Sequence, residues 1–364
     1  MNKNIIATVL LTLLLSTSIY PEVNSNISWY KCFKGTIGKY PVTMHLHKSD
    51  KNVRGFYNYD KMRQPIGFFG DVIGDSVFLL TNSNNNQESF RGILKKNKYN
   101  GQWYNGDKST LEFVLTEDES VSAMFEYVYV HGTKQLFKGW DKSPQGEYTE
   151  SSFWPTGKYA GSSFIRNSIC NEKKFPEGSG AIGDLMLKNQ DKFFEGYIKE
   201  NKDLKKSEIE KSGNSYMYSF TDEDNLVISY FDDKLFIISR MYYLYAGGVH
   251  GDYGTGFTVY DLVNKKKLEL SDILTAEGIK NIPTVFEKNF RKQYAVDDKM
   301  SLQDYGLFVD TIPVNDNFTL TPGGMAFNYV PYEISSYAQG EIMIYVPIED
   351  IEKYLVPGIK KLLQ

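Results

Sequence analysis

Ser89-Phe90-Arg91-Gly92-Ile93-Leu94-Lys95-Lys96-Asn97-Lys98-Tyr99-Asn100-Gly101-Gln102-Trp103-Tyr104 is the stretch that decides the fold of the first part of this chain. Apolar and polar residues alternate on both sides of Lys96-Asn97-Lys98, the period-two pattern of strands that bury one face. A glycine stands beside aromatic residues in both halves, and Arg54-Gly55-Phe56-Tyr57 has the same flavour. Glycine in that setting relieves crowding where a strand bends, which suits a small barrel or sandwich. Outward from this stretch, strands are expected over Phe33 to His47, Val53 to Tyr59, Pro65 to Ile73, Ser76 to Thr81 and Thr110 to Leu115. Gly74-Asp75, Asn105-Gly106-Asp107, the run 48–52 and the Asn-rich run 82–86 carry turn chemistry between them. An antiparallel meander or small barrel follows.

Composition supports a β-rich reading and narrows the function. The 364 residues include 27 Tyr, 23 Phe and 4 Trp, residues that favour half-buried pleated surfaces. A formal net charge of −4, from 41 Lys+Arg against 45 Asp+Glu, provides no global basic field for nucleic acid or anionic lipid. With four His and two Cys, multi-site zinc binding is excluded arithmetically, and no metal or cofactor is expected.

Residues 1–25 read as a signal peptide. Lys3 supplies the positive start, Ile5 to Leu15 is an apolar run too short to span a bilayer, and Val23 and Ser25 precede a cut after Ser25. A retained anchor is the alternative, which Pro21 cuts short. No second stretch of about 18 apolar residues occurs, so a secreted or periplasmic protein is expected with no membrane span after cleavage. In such a compartment Cys32 and Cys170 are candidates for one disulfide, the alternative being two buried thiols.

The chain divides near Glu150, into a β-rich domain over 26–150 and an α+β domain over 151–364. Asp184 to Ser212 reads as a helix that breaks once. Strands are expected over Tyr216 to Phe220, Asn225 to Phe231 and Leu235 to Tyr245, with Asp222-Glu223-Asp224 as a turn, and then over Gly256 to Asp261. A helix over Ala276 to Tyr294 carries one apolar stripe despite Pro283. Strands Asn317 to Leu320, Gly324 to Tyr329 and Glu341 to Pro347 come next, and Ile348 to Leu363 closes as a short helix. The expected fold class is α+β, with helices on one face of an antiparallel sheet.

Chemistry concentrates in Tyr245-Ala246-Gly247-Gly248-Val249-His250-Gly251-Asp252-Tyr253-Gly254-Thr255-Gly256. Glycines at this density allow a tight loop or a backbone approached by ligand. A phosphate cradle would end in Lys-Ser/Thr and enter a helix, and this stretch does neither. His250 beside Asp252 has the parts of a general base, yet no nucleophile elbow accompanies it. A tight strand crossing with His250 bonded to backbone carbonyls is the plain structural reading. Pro331-Tyr332-Glu333-Ile334 to Tyr337 is the second candidate surface, since Tyr joins a broad apolar face to a polar tip at low rotamer cost. It reads equally as a core edge held by proline.

Other clusters read more blandly. His45 and His47 share a strand face and could begin a metal site, but with no third ligand nearby they are expected to be solvent-exposed. Tyr57, Tyr59, Trp103 and Tyr104 offer either an aromatic platform for glycan or barrel core.

The segment Tyr245 to Gly251, with Tyr260-Asp261-Leu262-Val263-Asn264 to Leu274, and the segment Phe318 to Gly340 containing Thr321-Pro322-Gly323-Gly324 and Pro331-Tyr332-Glu333-Ile334, resemble the RsiV/PdaC-type extracytoplasmic domain over about Phe175 to Leu363. In that family the domain occurs in an anti-sigma factor that binds lysozyme and beside the catalytic domain of peptidoglycan deacetylases. The resemblance implies an exported, non-catalytic binding or sensing module of the cell envelope, with a lysozyme-like protein or a peptidoglycan or glycan fragment as partner. No deacetylase catalytic domain, with its Asp-Asp and His-x-x-x-His metal motifs together, is present in this sequence, so that activity is not expected to be inherited. Expected binding residues are Gly247, Gly248, His250, Asp252, Tyr253, Pro331, Tyr332, Glu333 and Tyr337. The competing expectation is an envelope hydrolase or deacetylase-type enzyme using His250 with Asp252 or Glu333.

Overall fold

The computed structural model describes residues 27–81, 87–106, 109–178 and 181–364. The expected signal peptide and the Asn-rich turn at 82–86 lie outside the described residues. Eight antiparallel strands come first: β1 (Ser28–Ile37), β2 (Tyr40–Ser49), β3 (Asn52–Tyr59), β4 (Ile66–Ile73), β5 (Ser76–Thr81), β6 (Glu88–Lys95), β7 (Lys98–Asn105) and β8 (Ser109–Glu117). Each pairs with the next, and Phe33–Ile37 of β1 pairs with Phe113–Glu117 of β8 to close a barrel. The stretch expected as one strand from Phe33 to His47 is therefore two, joined by a two-residue turn at Gly38-Lys39, with Ile37 opposite Tyr40.

The barrel interior is filled. Phe33, Leu46, Tyr57, Phe68, Phe90, Tyr99, Trp103 and Phe113 interlock with aliphatic neighbours. Tyr57 and Trp103 thus point inward, and both donate hydrogen bonds to Glu88 Oε2, so they form no surface platform. Gly92 faces Gly101 across β6 and β7. A Cβ on Gly101 would lie 2.1 Å from the Arg91 carbonyl oxygen, so the sharp bend needs glycine there.

The larger sheet has six strands, hydrogen-bonded side by side in chain order. Its strands are β9 (Phe125–Gln135), β10 (Gln145–Pro155), β11 (Phe220–Phe231), β12 (Leu235–Ala246), β13 (Asp252–Asp261) and β14 (Lys266–Lys267). The boundary expected near Glu150 falls inside β10. Both β9 and β10 join this sheet, and the barrel ends at Glu117. The sheet departs from antiparallel order at β10 and β11, which run parallel. Parallel neighbours need a crossover, and the helices Ser162–Glu172, Ile182–Glu200 and Lys206–Ser212 supply it. The last two are the helix expected to break once.

Asp222-Glu223-Asp224, expected as a turn, sits within β11, where Glu223 and Asp224 have cationic partners. Asp224 accepts from Lys173 Nζ at 3.0 Å and from Arg240 Nε at 2.9 Å, and Glu223 accepts from Arg54 Nη2 at 3.2 Å. Lys173 is fully buried and also donates to Glu150 Oε1 at 3.0 Å, which stitches the crossover to β10 and β11. Burial pushes the Asp222 carboxyl up to about 6, aided by Asp224 and Glu150.

A third layer is the sheet β15 (Phe318–Thr321), β16 (Gly324–Tyr329) and β17 (Ile342–Pro347), covered by the helix Ala276–Tyr294. That helix buries Ile282, Phe286 and Phe290 along one stripe, as its spacing predicts. The expected closing helix is broken: Ile348–Ile351 and Pro357–Leu363 are separate, because the residue before Pro357 is held extended.

The barrel docks on one face of the larger sheet. Tyr30, Cys32 and Phe56 turn outward from it into the core shared with β9 to β13. Phe56 meets Phe257 edge to face at 6.1 Å. His45 and His47 lie in this seam, each 1% exposed, which corrects the expectation of solvent-facing imidazoles. Tyr30 Oη bonds His45 Nδ1 at 2.8 Å, and the Ile228 N–H donates to His47 Nε2 at 3.1 Å. Cys32 and Cys170 remain thiols with no bridge between them, both within the shared core, and burial pushes the Cys32 thiol up to about 12. No described helix is long and apolar enough to cross a membrane.

Candidate functional site

The glycine-rich segment is the connection from β12 to β13. Asp252, Tyr253 and Gly254 are already strand residues, so the turn proper is Gly247 to Gly251. Gly247 has φ +86°, and a Cβ there would stand 2.7 Å from the Met217 carbonyl oxygen, so the loop rests directly on the turn Ser215–Tyr218. Tyr245 supports it from below, donating to the Gly248 carbonyl at 3.1 Å while stacking on Tyr216 at 4.5 Å.

The tyrosine segment follows β16. Glu333 closes its tight turn, accepting from the Val330 N–H at 3.1 Å with one oxygen and from Asn315 Nδ2 at 2.9 Å with the other. Tyr332 is thereby held at φ +70°, a left-handed conformation unusual for an aromatic residue. Pro331 is buried beneath it, whereas Tyr332 is 57% exposed.

The two segments meet through His250. Its Nε2 is 3.1 Å from the Tyr332 hydroxyl and its Nδ1 is 2.9 Å from the Gly251 carbonyl oxygen. The imidazole stacks on Tyr337 with centroids 4.0 Å apart, and Tyr253 meets Tyr337 edge to face at 5.3 Å. His250, Tyr253, Tyr332 and Tyr337 therefore form one cluster, flanked by Gly247 and Gly248. Asp252 is exposed in register with Leu244, and Glu333 is engaged in its own turn; neither carboxylate is a hydrogen-bond partner of His250. Both ring nitrogens already have protein partners, an arrangement suited to clasping two loops. Among the described residues no three His, Cys, Asp or Glu side chains assemble as a metal site.

The sequence reading missed the residues that widen this face. Tyr216 and Met217 are about half exposed, and Val249 at the loop tip is 99% exposed. Tyr216 and Met217 reach the loop through the Tyr216–Tyr245 stack and the close approach of Gly247 to the Met217 carbonyl, contacts that strand alternation does not foretell.

Residues 271–349 match the family model DUF3298, described as a protein of unknown function. Among solved structures, the chain is similar to a DUF3298 family member from Bacteroides fragilis NCTC 9343, at 26% identity and TM-score 0.55, covering 65% of this chain and 96% of that one. It is also similar to a DUF3298 family protein from Pseudomonas aeruginosa PAO1, at 16% identity and TM-score 0.44, covering 64% and 95%. A search of curated proteins finds no match. The family match contains the tyrosine segment and begins after the glycine-rich loop.

Proposed function

We propose that this chain is an exported, non-catalytic binding protein of the cell envelope, whose clasped loops dock a protein partner, a lysozyme-like muramidase being the leading candidate and a peptidoglycan fragment the second. The observation that carries the reading is the His250 clasp, which ties the loop bearing exposed Val249 to exposed Tyr332 while occupying both imidazole nitrogens. Exposed aromatic and aliphatic side chains on a rigid, hydrogen-bonded base are what a protein-binding surface requires. The resemblance to the RsiV/PdaC-type domain supports the same class of partner, and the mild net negative charge suits a basic one.

Isothermal titration against lysozyme and against soluble muropeptides, beside turnover assays of the wild type and His250→Ala, tests it. Saturable binding of either ligand without turnover, weakened in His250→Ala, is expected. Turnover of muropeptides abolished by the same substitution would overturn the proposal in favour of an envelope hydrolase.

A further inference from the structure

Away from the loop tips, the docked barrel and the larger sheet leave a groove between them of about 820 Å³. One wall is the outer surface of the barrel, where strand alternation brings Arg54, Phe69, Asp71 and Phe78 to the same side. The other wall is the barrel-facing side of β11 to β13, where Glu223, Tyr243 and Tyr253 lie opposite one another in register. Glu341, just before β17, also lines it.

Two features of this groove lack a structural purpose. Phe69 is 48% exposed on a concave surface in which a folded chain ordinarily covers phenylalanine, and Phe78, 38% exposed, carries the Arg91 guanidinium 5.5 Å from its ring centroid and leaves its remaining surface to the groove. In addition, Glu341 Oε1 is buried with no hydrogen-bond partner, a costly state for a carboxylate oxygen. Burial pushes the Glu341 carboxyl above its ordinary range, against hydrogen bonds to Thr255 and Asn328 that pull it down.

We infer that the groove binds a neutral oligosaccharide, whose apolar ring faces lie against Phe69, Phe78, Tyr243 and Tyr253 while its hydroxyl or amide donors reach Glu341, Glu223 and Asp71. The polar lining selects this chemistry. Three carboxyl groups outnumber the guanidinium groups at hand, Arg54 being engaged by Glu223 at 3.2 Å and Arg91 stacked on Phe78, so the lining disfavours a phosphate or other anion. A ligand rich in donors and carrying flat apolar faces satisfies both the aromatic walls and the orphaned oxygen. The volume lies in the range of small-ligand sites and admits a short chain. Tyr253 links the groove to the clasped loops through Tyr337, yet the groove is built mainly from residues the loop surface does not use.

Titration of the full chain with cellotetraose and chitotetraose, followed by calorimetry and by saturation-transfer NMR, tests the assignment. Saturable binding of at least one is expected, weakened about tenfold in Phe69→Ala/Phe78→Ala, whose exposed positions leave the fold intact. Glu341→Ala should weaken it several-fold, with unchanged thermal unfolding as the control for folding. Tyr332→Ala should leave saccharide affinity unchanged while lowering affinity for a protein partner, which separates this inference from the loop proposal. No saturable binding, binding indifferent to the Phe69/Phe78 pair, or preferential binding of an oligolysine peptide would overturn it.

Discussion

Tyr332 concentrates the tension between stability and recognition in one residue. A left-handed backbone costs a bulky residue about 1–3 kcal/mol, and here it persists because Glu333 and Ser335 close the turn around it. Its phenol returns a single hydrogen bond to His250, worth about 1 kcal/mol. Tyr332→Asn, which tolerates the left-handed region, should therefore leave thermal stability unchanged or raise it by up to about 1 kcal/mol while reducing partner affinity at least several-fold. Thermal unfolding and calorimetric titration of the variant measure both. A marked loss of stability would show that the clasp, rather than the ligand, is what Tyr332 serves. Little of this was readable beforehand: Tyr332, Tyr337 and His250 could be named as candidates, but the left-handed turn depends on Asn315 and Glu333 meeting across 18 residues.

At the level of elements, the seam between barrel and sheet is the unusual feature, since it buries two imidazoles. Burial, with Lys34 nearby, holds His45 down to about 3; burial, with His45 beside it, holds His47 well below its ordinary range. In the unfolded chain both titrate near about 6.5. Below that pH the unfolded state binds more protons, so the stability present above it is lost as pH falls toward 3, by about 1.4 kcal/mol per pH unit for each histidine. Asp222 acts in the opposite sense. Its folded value of about 6 stands above the ordinary carboxylate, so acid protonates the folded form first and offsets roughly one histidine over that window. The urea midpoint should fall on going from about pH 7 to about pH 4.5, and His47→Gln, whose amide oxygen can accept from Ile228, should flatten that fall. Equal midpoints at the two pH values would remove the seam as an acid-sensitive joint. Alternation placed His45 and His47 on one face correctly, but periodicity cannot say which face of a barrel strand another layer will cover. The same blindness made Asp222-Glu223-Asp224 look like a turn: Lys173 and Arg240, which engage Asp224, and Arg54, which engages Glu223, are remote in sequence.

For the molecule as a whole, the barrel and the rest share a core through Tyr30, Cys32 and Phe56. A joint made of buried aromatic side chains should couple the parts thermodynamically, giving one calorimetric transition in place of two. Phe56→Ala, removing a ring that is 3% exposed and packed on Phe257, should cost about 3–5 kcal/mol and separate the transition into two. A variant that melts as one unit at an unchanged temperature would mean the joint contributes little. Barrel and α+β region were both legible from strand spacing and from the stripe of the helix Ala276–Tyr294. Their boundary was not, because β9 and β10 have strand character suited to either sheet, and the parallel pairing of β10 with β11 is decided by a crossover whose first helix, Ser162–Glu172, has weak apolar periodicity.

Closure of the barrel by Phe33–Ile37 against Phe113–Glu117 imposes an order on its making. As the polypeptide emerges from its amino end, the first strand has a neighbour on one side only and must wait, with a row of amide groups unsatisfied, until the eighth strand appears. A nascent chain halted before Glu117 would carry two open borders able to recruit other chains, so the interval between those two segments is when this protein is most exposed to aggregation and most in need of a holding chaperone.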